Sequence, residues 1–204
     1  MLAPYSQVLW AIWCYALLQK GRKGKEIIMN VWHDVAAGEN PPELVNAIIE
    51  IPRRSRAKYE IDKETGLLKL DRILYSAVHY PANYGLVPQT LGEDNDPLDI
   101  MVLSYIDAPP MCLMRARVIG VMRMIDEGEG DDKLIAVAED DISVSHIRDV
   151  DELPNQFTTE LSHFFSEYKR LEEKEVRVEG FQDRQVAHQI IEEGIERYKQ
   201  AFNK

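Results

Sequence analysis

The chain has 204 residues, 45% of them hydrophobic, and a formal net charge of −11. This length is sufficient for one domain with a buried core, and the acidic balance excludes a nucleic-acid-binding protein, which would present a basic face. The two cysteines, Cys14 and Cys112, provide neither a disulfide framework nor a zinc site, so we expect a reducing compartment.

Residues 1–28 differ from the rest of the chain. Residues 8–18 form an apolar run that is too short for a membrane span, which needs about 20 residues. Basic residues follow this run, whereas a secretory signal would carry them before it. Three interpretations are open: an upstream extension wrongly assigned to the protein, with Met29 as the true start, a membrane-surface or targeting segment, or an extra packed helix. We expect the first, with one domain at residues 29–204.

The pattern from residue 45 to residue 138 predicts a β-rich body. Residues 45–51 read as a strand that Pro52 ends, and residues 58–61 and 67–70 read as a hairpin around a polar loop. Residues 80–87 contain a proline and a glycine, which predicts an irregular segment or a bent edge strand. Further strands are predicted at residues 98–103, 115–122 and 134–138, and the whole is compatible with a barrel.

Helical periodicity begins after about residue 147. Apolar residues in 154–171 recur at helical spacing, and a second amphipathic stripe follows from Asp183, a candidate N-cap. Residues 176–178 predict a short strand between the two helices. The fold class is therefore mainly β with α, with the last helix at the C-terminus.

Two acidic turns carry the functional signal. The first contains Glu93, Asp94, Asp96 and Asp99, and the second spans residues 126–132 and is followed by Lys133. Carboxylates repel one another, so such clusters are tolerated on a solvated surface or around cations. Grouped hard oxygen ligands indicate Mg²⁺, Mn²⁺ or Ca²⁺. Each turn borders a predicted strand, so the two can meet at one end of a sheet and form a multi-metal site; a solvated loop is the alternative for each.

Lys133 and the spacing of the first turn refine this hypothesis. A lysine at the end of an acidic turn suits a metal site only if an anion shares it, which indicates a phosphate held against metals. An EF-hand is excluded because Leu98 occupies a ligand position and Asp99 the position of the loop glycine.

The motif Asp94-x-Asp96-Pro97-x-Asp99 resembles the signature of the soluble family I inorganic pyrophosphatases of the prokaryotic type. Further segments resemble the family in the same order: Ile49-Glu50-Ile51-Pro52, Lys58-Tyr59-Glu60-Ile61-Asp62, Leu70-Asp71-Arg72, Tyr80-Pro81-Ala82-Asn83-Tyr84-Gly85, Met124-Ile125-Asp126-Glu127 and His163-Phe164-Phe165-Ser166-Glu167-Tyr168-Lys169. The similarity extends from about residue 30 to the C-terminus. Ordered segments in this number are much stronger evidence than the short acidic motif alone.

The resemblance implies a five-stranded OB-like β-barrel and Mg²⁺-dependent hydrolysis of pyrophosphate to two orthophosphates by direct attack of water. It implies Asp94, Asp99, Asp126 and Asp131 as metal ligands, with Asp96 as the general base or the residue that orients the water. The implied phosphate-binding residues are Lys58, Arg72, Tyr84, Lys133, Tyr168 and Lys169. Glu50 and Glu60 would act mainly through metal-bound water, and Tyr80 would line the site.

The resemblance also implies a cytoplasmic enzyme that forms a homo-oligomer, a hexamer by analogy, without a nucleic-acid or membrane partner. Glu167 stands where bacterial relatives often have a histidine near subunit contacts, so the analogy is weakest for the oligomer. Two other classes remain: a non-catalytic divalent-metal-binding domain, and a membrane-anchored accessory protein that uses residues 1–28. The phosphate-binding set argues against the first of these. Among the five histidines, His79, His146 and His163 have no partner at ligand spacing, and we interpret them as structural or interface residues; His33 and His188 carry no functional signal.

Overall fold

A computed structural model describes residues 29–63 and 65–202. The predictions for residues 1–28 lie outside the described residues. Within the described part, no helix combines the length and the apolar character needed to cross a membrane. The helices are α1 (Val31–Asp34), α2 (Asn155–Glu167) and α3 (Arg184–Phe202). The strands are β1 (Leu44–Ile51), β2 (Ala57–Ile61), β3 (Leu68–Ile73), β4 (Asn83–Leu86), β5 (Asp99–Leu103), β6 (Cys112–Asp126), β7 (Glu129–Gly130), β8 (Lys133–Ala138) and β9 (Val176–Asp183).

Five strands close into a ring. Strand β1 pairs with β4, β4 with β5, β5 with β8, β8 with β6, and β6 returns to β1. Closure leaves no exposed edge among these five strands. Strand β9 adds to β6 outside the ring, and β2 and β3 form a separate hairpin. The predicted barrel is therefore present, as are the predicted hairpin and the strands at residues 45–51, 98–103 and 134–138.

Strands β4, β5 and β8 of the ring are buried on both faces. On β5, Ile100 and Val102 belong to one apolar cluster, and Met101 and Leu103 belong to another. Successive side chains on a strand point to opposite faces, so both faces must be covered, and the strand sequences read as continuous apolar runs. Helix α2 contributes Phe164 and Phe165 to the cluster of Met101 and Leu103, and α3 contributes Ile191 to the cluster of Ile100 and Val102.

The two long helices form where the apolar spacing predicts them. Helix α2 begins after Pro154, and the Asp183 side chain accepts the backbone N–H groups of Gln185 (2.9 Å) and Val186 (3.1 Å) at the start of α3. Asp183 is thus the predicted N-cap. Helix α3 passes close to Leu98, because a Cβ on Gly194 would lie 2.7 Å from the Leu98 side chain.

The expectation of an irregular or edge segment at residues 80–87 was wrong for its second half. Strand β4 pairs on both sides and is fully buried. Pro81 precedes the strand and removes no ladder donor from it. Gly85 allows the close approach to β1, since a Cβ there would lie 1.9 Å from the carbonyl oxygen of Ile48. Helix α1 and the full lengths of β6 and β9 were not predicted, because short or half-exposed segments carry little periodicity.

Candidate active site

The two acidic turns meet because β5 and β8 are parallel neighbours. In the register of this pair, Asp99 lies opposite Lys133, so both strands begin at the same end of the barrel. The first turn enters β5, and the second turn leaves β6 and enters β8. Side chains from residues 94–99 and 126–133 therefore surround the same space, as the sequence predicts.

One cavity of about 490 Å³ occupies this end of the barrel. Thirteen of the fourteen predicted site residues line it: Glu50, Lys58, Glu60, Tyr80, Tyr84, Asp94, Asp96, Asp99, Asp126, Asp131, Lys133, Tyr168 and Lys169. They come from six different strands, the segment before β4, the two acidic turns and the residues that follow α2. The lining contains nine acidic side chains against four lysines. Acidic groups thus exceed lysines about two to one, and a site of this composition favours additional cations.

Lys133 lies at the centre of the acidic groups. Only 2% of the residue is exposed, and its ammonium group donates to both Asp99 and Asp131. Burial acts to lower the pKa of Lys133, but the two carboxylates outweigh burial and raise it above its ordinary value. Since one ammonium contacts both carboxylates, Asp99 and Asp131 are within reach of a single cation.

Asp126 forms a second pair at the other side of the cavity. Lys169 donates to Asp126 Oδ2, and the Tyr168 hydroxyl lies 3.4 Å from the same oxygen. The other oxygen, Asp126 Oδ1, is buried and has no hydrogen-bond partner in the described part of the chain. A buried carboxylate oxygen without a donor is costly, and a bound cation would satisfy it.

Glu50 is the most deeply buried carboxyl group of the set. It is 7% exposed, and its Oε1 accepts the backbone N–H of Ile61 at 2.7 Å. Burial raises the pKa of Glu50 to about 8, with Asp99 and Glu60 adding to the increase and the Ile61 hydrogen bond opposing it. The sequence could not decide whether Glu50 faces solvent or the site; the barrel directs it into the site.

Three tyrosines form the apolar wall of the cavity. Tyr80, Tyr84 and Tyr168 are 1%, 8% and 5% exposed. Burial is the main cause that raises the pKa of each phenol well above its ordinary value, and neighbouring carboxylates add to it. The hydroxyl groups therefore stay protonated and can donate hydrogen bonds to an anion. The Tyr80 ring packs against Phe164 at 4.7 Å, which connects this wall to α2.

Arg72 is the one predicted residue that does not line the cavity. Its guanidinium donates to Asp71 at 2.5 Å and to Glu172 at 2.9 Å. Its Nη2 is buried without a hydrogen-bond partner in the described residues, which leaves one donor for an anion. Glu172 lies 100 residues further along the chain, so no local pattern could have predicted this pair.

The donor set fits divalent cations, although the carboxylates are not preassembled as ligands. Among residues 29–63 and 65–202, no three acidic, imidazole or thiol groups are arranged to hold a metal ion directly. Lysines lie between the carboxylates instead, at Asp99 and Asp131 and at Asp126. A metal would have to displace these ammonium groups, and the unpartnered Asp126 Oδ1 and the surplus of carboxylates fit that exchange.

The arrangement of buried carboxylates and lysines around one cavity suits a metal-bound polyanion. A family model described as inorganic pyrophosphatase matches residues 47–199. This chain belongs to the inorganic pyrophosphatase family. The matched range begins after α1 and contains all six segments that resemble the family, with their site residues.

Relatives of the pyrophosphatase family match along most of the chain. Soluble inorganic pyrophosphatase 2 of Chlamydomonas reinhardtii is 48% identical over 171 residues, which are 84% of this chain and 89% of that protein. The soluble inorganic pyrophosphatase of Oryza sativa subsp. indica is 47% identical over 174 residues, covering 85% and 81% of the two chains. Among solved structures, the inorganic pyrophosphatase from Thermus thermophilus has a TM-score of 0.81 at 41% identity, and the match covers 84% of this chain and 99% of that chain. This similarity confirms the predicted family fold.

Sequence reasoning missed several residues around this cavity. Lys63 lines it and pairs with Asp96, and Trp32 of α1 also lines it. Asp71 pairs with Lys58 at 3.4 Å. Asp71 and Lys63 stand in segments already recognised as family-like or directly adjacent to one, which was the available signal. Trp32 lies outside the matched range and carried no signal.

Proposed function

We propose that this chain hydrolyses inorganic pyrophosphate to two orthophosphates in a Mg²⁺-dependent reaction in the 490 Å³ cavity. The observation that supports this most is the convergence of thirteen predicted residues, acidic and basic together, on one space. A site for an anion alone would not need the carboxylates, and a site for cations alone would not need the lysines. Pyrophosphate bound with cations needs both.

Asp94, Asp99, Asp126 and Asp131 would hold Mg²⁺, with Glu50 and Glu60 acting through water. When bound, Mg²⁺ would neutralise phosphate oxygens and lower the pKa of a coordinated water. Lys133 and Lys169 would then leave the carboxylates, to which they donate in the described structure, and contact phosphate oxygens. In this way the lysines neutralise the site before the ligands arrive and bind the substrate afterwards.

Asp96 would accept the proton of the attacking water. Its side chain is 54% exposed and therefore accessible to solvent, unlike the 18% exposed Asp131. Its backbone N–H donates to the Asp94 side chain at 3.0 Å, and the following Pro97 restricts its backbone to extended conformations. Asp96 is thus oriented by its own turn and needs no ligand for its position.

Lys58, Arg72, Tyr84, Lys133, Tyr168 and Lys169 would bind the phosphate groups, with Tyr80 as part of the wall. The cationic members stabilise charge on the leaving phosphate, and the neutral phenols donate hydrogen bonds. Since water attacks directly, the reaction needs no serine or cysteine nucleophile.

Phosphate release from pyrophosphate, with and without Mg²⁺, tests this function. Wild-type protein should release phosphate only with the metal, and Asp99→Asn should abolish release. Asp140→Asn is the matched control, because Asp140 is 74% exposed and pairs with Arg115 on the surface. Undiminished release in excess chelator would refute the metal requirement. Mg²⁺ binding without any phosphate release would instead favour a non-catalytic metal-binding domain.

Residues 29–204 would form the pyrophosphatase domain of a cytoplasmic protein that assembles as a homo-oligomer, a hexamer by analogy. Exposed apolar side chains around a second surface cavity, among them Tyr105 (79% exposed) and Ile142 (92% exposed), support self-association. Light scattering of the full chain measures the assembly directly, and a mass of one chain across the concentration range would refute it.

A further inference from the structure

The entrance of the cavity holds a lysine that the mechanism above does not use. Lys63 lies in the loop between β2 and β3 and lines the same cavity. Its side chain is 51% exposed, whereas those of Lys133 and Lys169 are 3% and 12% exposed. Its ammonium group pairs with Asp96, the proposed proton acceptor. Lys63 is therefore the lysine that an incoming anion meets first.

Helix α1 and the residue before it hold Lys63 at this place. The Asn30 side chain donates to the carbonyl oxygen of Lys63 at 3.1 Å. The Lys63 ammonium lies 5.4 Å from the centre of the Trp32 ring, in the position of a cation–π contact. The lysine thus has two neighbours for its charge, a carboxylate on one side and an aromatic face on the other.

Trp32 is fixed between the first acidic turn and α3. It is 6% exposed, and its Nε1 donates to the carbonyl oxygen of Thr90 at 2.9 Å. The Thr90 hydroxyl accepts the backbone N–H of Leu98 at 3.0 Å, so Thr90 connects the two ends of the acidic turn. The Phe202 ring packs against Trp32 at 5.4 Å. Trp32 is therefore held in place by the turn that carries Asp96 and by α3.

We propose that Lys63 binds pyrophosphate at the entrance by exchanging partners, and that Trp32 is the residue that positions it. In the free protein the ammonium pairs with Asp96; with substrate bound it contacts phosphate oxygens. Pyrophosphate carries more negative charge than one carboxylate, so the exchange is favourable. When the Lys63 ammonium group leaves Asp96, the Asp96 carboxylate is free to accept a proton. This inference rests on the proposed function of the cavity.

Kinetics of Lys63→Met, with Lys69→Met as the matched control, test the binding role. Lys69 belongs to the same hairpin, is exposed, and does not line the cavity, so both variants lose one positive charge. At fixed free Mg²⁺, Lys63→Met should raise KM for pyrophosphate about tenfold, the low end for a hydrogen bond to a charged group. The value of kcat should stay within about twofold, because binding energy shared by ground and transition state affects KM alone. An equal rise of KM in Lys69→Met, or a loss of kcat with KM unchanged, would overturn the proposal.

Tryptophan fluorescence provides a readout that does not need turnover. In the full chain with Trp10→Phe and Trp13→Phe, Trp32 is the single tryptophan. Titration with Mg²⁺ and imidodiphosphate, in which an NH replaces the bridging oxygen, should change its emission as the ammonium leaves the ring. The change should persist in Lys69→Met and disappear in Lys63→Met, and a change that persists in Lys63→Met refutes the exchange. If imidodiphosphate produces this change but wild-type protein releases no phosphate from pyrophosphate, the proposed function is refuted and the role of Lys63 remains supported.

Discussion

Replacing Glu50 by glutamine should make the metal-free protein more stable at neutral pH. Glu50 is a buried acid whose pKa rises from 4.5 to about 8, chiefly because of burial. Between these values the folded state binds the proton more tightly than the unfolded state, so the free energy of unfolding falls as the pH rises. Glutamine keeps the acceptor oxygen for the Ile61 N–H and has no proton to lose.

The size of the effect follows from the pKa difference. Each pH unit between the unfolded and the folded pKa costs about 1.4 kcal/mol, so by pH 7 the wild type has lost about 3 kcal/mol relative to its fully protonated form. Since the loss is still small at pH 5, the advantage of Glu50→Gln should grow by about 2–3 kcal/mol between pH 5 and pH 7. Above pH 8 the folded carboxyl ionises as well, and the difference should become constant.

Urea unfolding in excess chelator, at several pH values and constant ionic strength, measures this difference. Glu192→Gln, an exposed glutamate of α3, is the control for removing one negative charge. A stability difference between wild type and Glu50→Gln that does not change with pH would refute the reasoning. Mg²⁺ should remove most of the advantage, because a divalent cation nearby favours the ionised carboxylate.

Two further substitutions test the roles of Asp99 and Asp96, and one truncation tests whether residues 1–28 are needed. Asp99→Asn should lose Mg²⁺ affinity by calorimetry and about 1–3 kcal/mol of metal-free stability in urea, because the buried Lys133 loses one of its two carboxylate partners; unchanged Mg²⁺ affinity would contradict its role as a ligand. Asp96→Asn should lower kcat about 10²–10⁴-fold, the usual contribution of a general base, with Mg²⁺ affinity retained and residual activity rising with pH. A fall in Mg²⁺ affinity as large as that of Asp99→Asn would make Asp96 a ligand. A chain that begins at Met29 should be folded and fully active by circular dichroism and phosphate release, and an insoluble or inactive product would show that residues 1–28 are needed.

The sequence by itself determined most of the local elements and predicted most of the residues that line the cavity. Apolar runs bounded by turn residues located the central strands, and helical spacing located both long helices, because these patterns reflect which side chains one element buries. The carboxylate spacing of residues 94–99 indicated hard cations, and the ordered segments indicated the family. Each of these signals is read along the chain, within one element or from the order of short segments, so it needs no knowledge of which residues meet in space.

Only the tertiary structure decided which elements meet. The parallel register that sets Asp99 beside Lys133, the pairing of β4 on both sides, and the contact of Lys63 with Asp96 across 33 residues all join segments that are distant in sequence. The pKa of Glu50 likewise depends on burial by strands that are distant in sequence. Periodicity states which face of an element is apolar but not which element will cover it, because the free energy of long-range pairing is spread over many weak contacts.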